Sequence, residues 1–342
     1  MALSIFTFLF ILLQLFNILL TCNALPKFSA ILIFGDSLLD TGNNNFIPSF
    51  AQANHPPYGV SFPGGVATGR FSDGKLMSDF LAEALGIKQL VPPFMDPKLP
   101  PSELPTGVCF ASAGAGYDDK TSATQVIPVT EQYQKHFKDY KQKLIATVGD
   151  KKAADILQNS FMFSTSGSND MALNFYANPL QAGSIDQYQN FLIGNIAKFI
   201  KSLYADGCRN MAIAGLPPIC GPLSAGGILG CVFDNNSDAN VYNRKLQAML
   251  TQLQSSLPGS KLVYADIFTP LVQISSDPLS HGILFPINCC GEGFPTMAAT
   301  CNEFVLTCPN PGSYMLWDSV HPTQAVYRVM TDFLIKNVLS QF

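Results

Sequence analysis

Five short apolar runs punctuate the chain, and their length restricts the fold more than any other feature. They are Ala30–Phe34, Gly107–Ala111, Phe161–Ser164, Met211–Leu216 and Leu262–Ile267. Each is too short for an ordinary helix, and most lead into Gly, Pro or small polar residues. A continuous apolar run of this length suits a strand buried on both faces, as in a parallel sheet. Between the runs lie stretches with helical spacing. Leu76–Leu85 stops at Gly86, and Val241–Leu257 stops at Pro258-Gly259. Phe191–Tyr204 places Leu192, Ile196, Ile200 and Leu203 on one face and stops near Gly207. Strands alternating with helices predict a doubly wound α/β sheet. No repeat or low-complexity linker interrupts the pattern, so residues 25–342 read as one domain.

Composition narrows the partners. The 342 residues are 47% hydrophobic and 13% charged, with a net charge of -4 and no basic run. Nucleic-acid binders need a concentrated basic face, so that class is excluded as an expectation. Met1–Leu20 is almost unbroken Leu, Ile and Phe without charge, and Cys22-Asn23-Ala24 follows. Residues 1–24 therefore read as a secretory signal peptide, although the usual positive start is missing. An uncleaved membrane anchor is the alternative, since the run is nearly long enough to span a bilayer. No later segment resembles a membrane span.

Cysteine usage agrees with export to an extracellular or cell-wall location. Four of the nine cysteines, Cys289, Cys290, Cys301 and Cys308, crowd into one loop among Gly, Pro and Asn. In an oxidising compartment such a loop is expected to be stapled by disulfides. Adjacent Cys289 and Cys290 are expected to take different partners. Cys220 and Cys231 bracket a glycine-rich loop as a candidate closing pair, and Cys109 lies in an apolar run as a candidate free thiol. The paired spacings that zinc requires are missing, so no metal is expected. Asn235-Asn236-Ser237 is the single N-x-S/T sequon, which makes Asn235 a candidate glycan site.

Ligands of open α/β sheets bind beyond the carboxyl ends of the strands. Three of the runs lead there into small polar clusters: Gly35-Asp36-Ser37, Ser112-Ala113-Gly114 and Gly167-Ser168-Asn169-Asp170. Ser37, at a strand end, is a candidate nucleophile that would need a base and oxyanion donors. Its bland reading is a helix cap or turn. His321 lies three residues after Asp318, within reach of the carboxylate if the segment makes one turn. The pairing suits a general base held by an acid. Its bland reading is a helix entry, with Asp318 as the cap and Pro322 in the first turn. Gly114 and Asn169 offer an amide and a side-chain donor, or alternatively simple turns.

The ordered motifs carry a resemblance. Phe34-Gly35-Asp36-Ser37-Leu38-Leu39-Asp40-Thr41-Gly42-Asn43-Asn44-Asn45 resembles the first block of the plant-type GDSL esterase/lipases, within the SGNH hydrolases. Ala67-Thr68-Gly69-Arg70-Phe71-Ser72-Asp73-Gly74-Lys75 is similar to a further stretch of that group. Cys109–Gly116, Gly167–Asp170 and Trp317–Thr323 resemble its remaining blocks, in family order. The resemblance implies a three-layer α/β/α (flavodoxin-like) fold with a mostly parallel five-stranded sheet. It implies Ser37, Asp318 and His321 as catalytic residues, and the Ser37 amide, Gly114 and Asn169 as the oxyanion hole. It also implies ester hydrolysis through an acyl-enzyme, without a cofactor. Acyl transfer by the same residues, or a retired scaffold serving as a binding or storage protein, are the alternatives. Cys109 stands where the family usually has Asn and Ala113 where it often has Gly. Loss of a hydrogen bond bracing the oxyanion loop is the expected consequence at Cys109. Phe46, Phe50, Tyr58, Phe62 and Phe94 are candidate acyl-pocket residues, with core packing or simple surface exposure as the bland and favoured reading of each.

Overall fold

The computed structural model describes residues 25, 27–122, 125–177, 183–218, 238–291 and 301–342. The proposed leader, Asn235 and the Cys220/Cys231 loop lie outside the described residues. Four of the apolar runs form regular parallel strands: β1 (Ile31–Gly35), β2 (Phe161–Thr165), β3 (Asn210–Ala214) and β4 (Lys261–Ala265). They pair in the order β1-β2-β3-β4. The remaining run, Gly107–Ala111, is not a regular strand. It joins the β1 edge through a single parallel bridge, Ile33 to Cys109. Hydrogen bonds from Ile33 N–H to Val108 O and from Phe110 N–H to Ile33 O extend the contact. Cys109 also bridges Pro93, a residue that cannot donate, which limits the ladder on that outer side. Counted with this edge, the runs lie in the order second, first, third, fourth, fifth. The chain thus reverses direction across the sheet between β1 and β2, the point where ligands of such sheets bind.

Strand residues alternate between two cores, which explains why the runs are apolar throughout. Ala30, Leu32 and Phe34 join Met162, Met211 and Ile213 in one cluster. Ile31 and Ile33 join Phe161, Phe163, Ala212 and Val263 in the other. Over the first core lie α2 (Lys138–Val148), α3 (Asp150–Gln158), α4 (Ile185–Ala205) and α5 (Asp238–Gln254). Over the second lie α1 (Met77–Ala84), α6 (Phe268–Ser276) and α7 (Gln324–Asn337). This is the three-layer α/β/α arrangement. The three helical stretches anticipated from spacing are α1, α4 and α5; α1 and α5 lie within three residues of their expected ends, whereas α4 begins six residues before the expected Phe191.

A small second sheet carries the chain into the last motif. Its strands, β5 (Phe285–Asn288) and β6 (Tyr314–Leu316), are parallel. Two disulfides, Cys289–Cys308 and Cys290–Cys301, staple the loop between them, so the adjacent cysteines do take different partners. Cys109 and Cys208 are free and buried. No helix among the described residues is long and apolar enough to cross a membrane.

Candidate active site

Ser37 leaves β1 in a turn that the backbone alone would not hold. Gly35 has φ +134°, and a Cβ there would lie 1.9 Å from Thr165 O on β2. Only glycine permits that close approach. The Gln132 side chain brackets the same residue. Its Oε1 accepts from Gly35 N–H at 2.9 Å and its Nε2 donates to Gly35 O at 2.8 Å. Asp36 O then accepts from the amides of Leu39 and Asp40, and Asp36 Oδ1 from Leu38 N–H at 3.1 Å. Ser37 is left half-buried at the tip. Gln132 was not legible as a site-supporting residue, because nothing in sequence links it to a glycine 97 residues away.

His321 and Asp318 reach Ser37 from the far end of the chain. The turn Trp317–His321 closes on itself through Trp317 N–H to His321 O at 2.7 Å. Asp318 Oδ1 accepts from the amides of Val320 and His321 at 2.8 and 2.7 Å. Local hydrogen bonding of this kind is what aspartate does readily in turns. It presents the carboxylate to the imidazole: Nδ1 of His321 lies 2.8 Å from Asp318 Oδ2. Nε2, on the opposite side of the ring, lies 2.8 Å from Ser37 Oγ. The ring is packed beside Phe71, centroid to centroid 4.8 Å. Asp318 does not cap the following helix. Thr323 does, accepting from Val326 N–H, so Pro322 precedes the cap and does not occupy the first turn.

Buried carboxylates fasten the loops that carry Gly114 and Asn169. Asp40 Oδ1 accepts from the amides of Gly42 and Asn43, and its Oδ2 from Ala113 N–H at 2.9 Å. That last bond fastens the loop before Gly114 to the nucleophile turn. Gly114 has φ +86°, and a Cβ there would press on Val126. Asn169 Nδ2 donates to Ala115 O at 3.0 Å, so the side chain lies against this loop. Asp170 completes the join, accepting from the amides of Tyr117 and Asp118 and from the Thr121 hydroxyl. Among the described residues no group engages the Ser37 or Gly114 N–H. The loop expected to lose its brace at Cys109 has one nevertheless. Asn43 Nδ2 donates to Cys109 O and Ala111 O at 3.0 and 2.7 Å, and Cys109 Sγ donates to Leu39 O.

Tyr58 and Phe94 are core, whereas Phe62, although buried, lines a cavity with Phe46 and Arg70. Phe94 packs among Phe110, His136 and Tyr140. Phe46 and Phe50 are exposed. The carboxylates differ in how readily they ionise. Burial pushes Asp36 up to about 7, against the hydrogen bond from Leu38 and the nearby His321. Burial likewise raises Asp40 and Asp170 to about 6. Asp318 is as buried, but His321 and its hydrogen bonds overcome that and hold it below the ordinary carboxylate range. Among the described residues no cluster of His, Cys, Asp or Glu is built to hold a metal.

A half-buried serine hydroxyl bonded to an imidazole, itself bonded to a buried carboxylate, can be deprotonated as it attacks a carbonyl carbon. Residues 31–334 match the model of the GDSL-like lipase/acylhydrolase family. The chain belongs to that family. Its relatives include GDSL esterase/lipase At2g30220 of Arabidopsis thaliana, 44% identical over 335 residues that cover 93% of each chain. GDSL esterase/lipase At2g31540 of the same plant is 43% identical over 95% of each chain. GDSL esterase/lipase At1g06990 is 43% identical over 91% of this chain and 89% of its own length. As a member of this family the chain is a carboxylic ester hydrolase, with a small-molecule ester as its class of substrate.

Proposed function

We propose that the chain hydrolyses carboxylic esters through an acyl-enzyme on Ser37. The observation that carries this reading is the 2.8 Å contact between Ser37 Oγ and His321 Nε2, with Asp318 on the opposite ring nitrogen. His321 Nε2 takes the hydroxyl proton as Oγ bonds to the ester carbon. The carbonyl π electrons move onto oxygen, which accepts hydrogen bonds from the Ser37 and Gly114 amides and from Asn169 Nδ2. Collapse of this adduct breaks the ester C–O bond, and the leaving alkoxide takes the proton back from His321. Water then repeats the sequence. It gives a proton to His321, bonds to the acyl carbon and releases the acid, and Oγ recovers its proton. Asp318, ionised throughout, steadies the imidazolium at both steps. The intact hydrogen-bonded set supports this reading over a retired binding scaffold.

Residues 25–342 act as one catalytic domain in this reading. Residues 1–24 are a leader removed on secretion, supported by their uncharged apolar run and by the two disulfides. A glycan on Asn235 would agree with that route. Ser37→Ala should lower turnover of a short p-nitrophenyl ester by on the order of 10⁴-fold or more while the circular dichroism spectrum is unchanged. A fluorophosphonate probe should label Ser37 alone, and the secreted product should begin near Leu25. Undiminished turnover in Ser37→Ala sinks the mechanism; a product beginning at Met1 sinks the leader.

A further inference from the structure

Tyr58 lies 260 residues before Asp318 and only 3% exposed, with its hydroxyl 2.8 Å from Asp318 Oδ2. That oxygen is also the nearer one to His321 Nδ1, at 2.8 Å. The other oxygen is taken by the Val320 and His321 amides. The carboxylate is therefore held from both sides, locally by its own turn and remotely by one phenol. The Tyr58 ring meets Trp317, Phe71 and His55 edge-on. Phe71 in turn packs beside the imidazole of His321. One strap, residues 55–71, thus touches both members of the acid–base pair.

We propose that Tyr58 is a positioning residue for the reaction: its hydroxyl tethers Asp318 Oδ2 and sets how strongly that carboxylate draws the proton held by His321. The inference rests on the reading of Asp318 and His321 as the acid and base of the mechanism. Burial, reinforced by the Asp318 charge, raises the phenol far above its ordinary value. It is a donor at every working pH and never a base. Each hydrogen bond to a carboxylate spreads its charge and weakens its pull on a neighbouring proton. Removing this one leaves Asp318 more basic and less fixed, and the imidazolium correspondingly harder to deprotonate. Among the described residues the other titratable groups facing the pair are His55 beside the Tyr58 ring, Tyr327 on α7 and Asp36 just after β1, with Asp73 acting in turn on Tyr327.

The test is the pH profile of kcat/KM on a p-nitrophenyl ester. In Tyr58→Phe the acid limb should move up by about half a pH unit or more, and kcat should fall roughly tenfold. KM should stay within about twofold, since Tyr58 acts through Asp318 and not on substrate. Tyr58→Phe should add no further loss in an Asp318→Asn background. Site-specific 3,5-difluorotyrosine at position 58, a stronger donor of similar shape, should move the limb the opposite way. It decides the matter if the Phe variant does not fold. His55→Gln should leave the limb in place. Coincident profiles for the wild type and the position-58 variants, with only a lower melting temperature, overturn the proposal. If Ser37→Ala retains turnover, the underlying mechanism fails. If Ser37→Ala is dead and the profiles coincide, the role of Tyr58 alone fails.

Discussion

The turn that presents Ser37 and the turn that presents His321 are built on opposite principles. The Trp317–His321 turn is shaped mainly by local bonds: Asp318 Oδ1 accepts amides only two and three residues on, and Tyr58 reaches its other oxygen from a distance. The turn at Gly35–Asn45 holds its shape through distant partners. Gln132 brackets Gly35, Asp40 receives Ala113, and Asn43 spans Cys109 and Ala111. Their carboxylates are also shifted in opposite directions. Asp36 and Asp40 are raised by burial to about 7 and about 6, whereas Asp318 is held below its ordinary value. Burial dominates at Asp36, where the Leu38 amide and the nearby His321 offset it only in part; at Asp318 the directly bonded imidazole and the turn's amides outweigh it. The comparison teaches where each half of the site is vulnerable. The nucleophile turn depends on the rest of the molecule, and the acid–base turn on its immediate neighbours and its staples.

The sharpest way to break the comparison is Asp40→Ala. It strands the buried amides of Gly42, Asn43 and Ala113 at once. The expected loss is about 4 kcal/mol of unfolding free energy. Activity should drop by on the order of 10²-fold in folded protein, because the loop before Gly114 is no longer fastened to the turn of Ser37. Urea titration and turnover measure the two. Wild-type stability would show that the nucleophile turn is as local as the other.

The complementary change removes a staple: Cys290→Ser with Cys301→Ser. The bond closes a span of 11 residues. Cys290 N–H also donates to Trp317 O, beside Asp318. A loss of about 3 kcal/mol is expected, visible as a lower melting temperature. kcat should fall with it, since the staple backs the acid–base turn. An unchanged kcat would mean that the local hydrogen bonds of Asp318 suffice.

The smallest effect is a pH dependence. Asp36 keeps its proton in the folded state up to about 7, but loses it near 3.8 when unfolded. The unfolded state therefore binds fewer protons in that window, so stability falls as pH rises from about 4 to about 7. Asn at this position retains an oxygen for Leu38 N–H and never ionises. Asp36 Oδ2, which finds no partner among the described residues, is the atom replaced. The stability of Asp36→Asn relative to wild type should improve by about 2 kcal/mol between pH 5 and pH 8. A constant difference across that range would remove the contrast. Asp318 works with the opposite sign: its contribution is present above about 4 and is lost as pH falls through its lowered value.

The strands were legible because burial on both faces demands unbroken apolar runs, and α1, α4 and α5 because each shows a stripe with a stop. The Gly107–Ala111 run read as a strand on the same grounds, yet it pairs through one bridge at an edge partly faced by Pro93. Apolar character reports burial, not a complete ladder. Asp318 beside His321 was legible from three-residue spacing. Gln132, Asp40, Asp170 and Tyr58 were not. A buried polar side chain answers to a donor or acceptor across the fold, and spacing along the chain carries no trace of it. Tyr58 in particular reads from sequence as a candidate acyl-pocket residue and is a hydrogen-bond donor to Asp318.

By itself, the sequence determined the layered α/β plan, the strand-end clusters and the one-turn pairing of Asp318 with His321. These follow from local rules, which are periodicity, turn chemistry and reach. Only the tertiary structure decided that His321 Nε2 meets an Oγ 284 residues away. It also decided which distant amides and phenol fix the two turns against each other. Those contacts are made when the sheet order sets β1 beside β2 and α7 brings the last turn back over them, which no local pattern encodes.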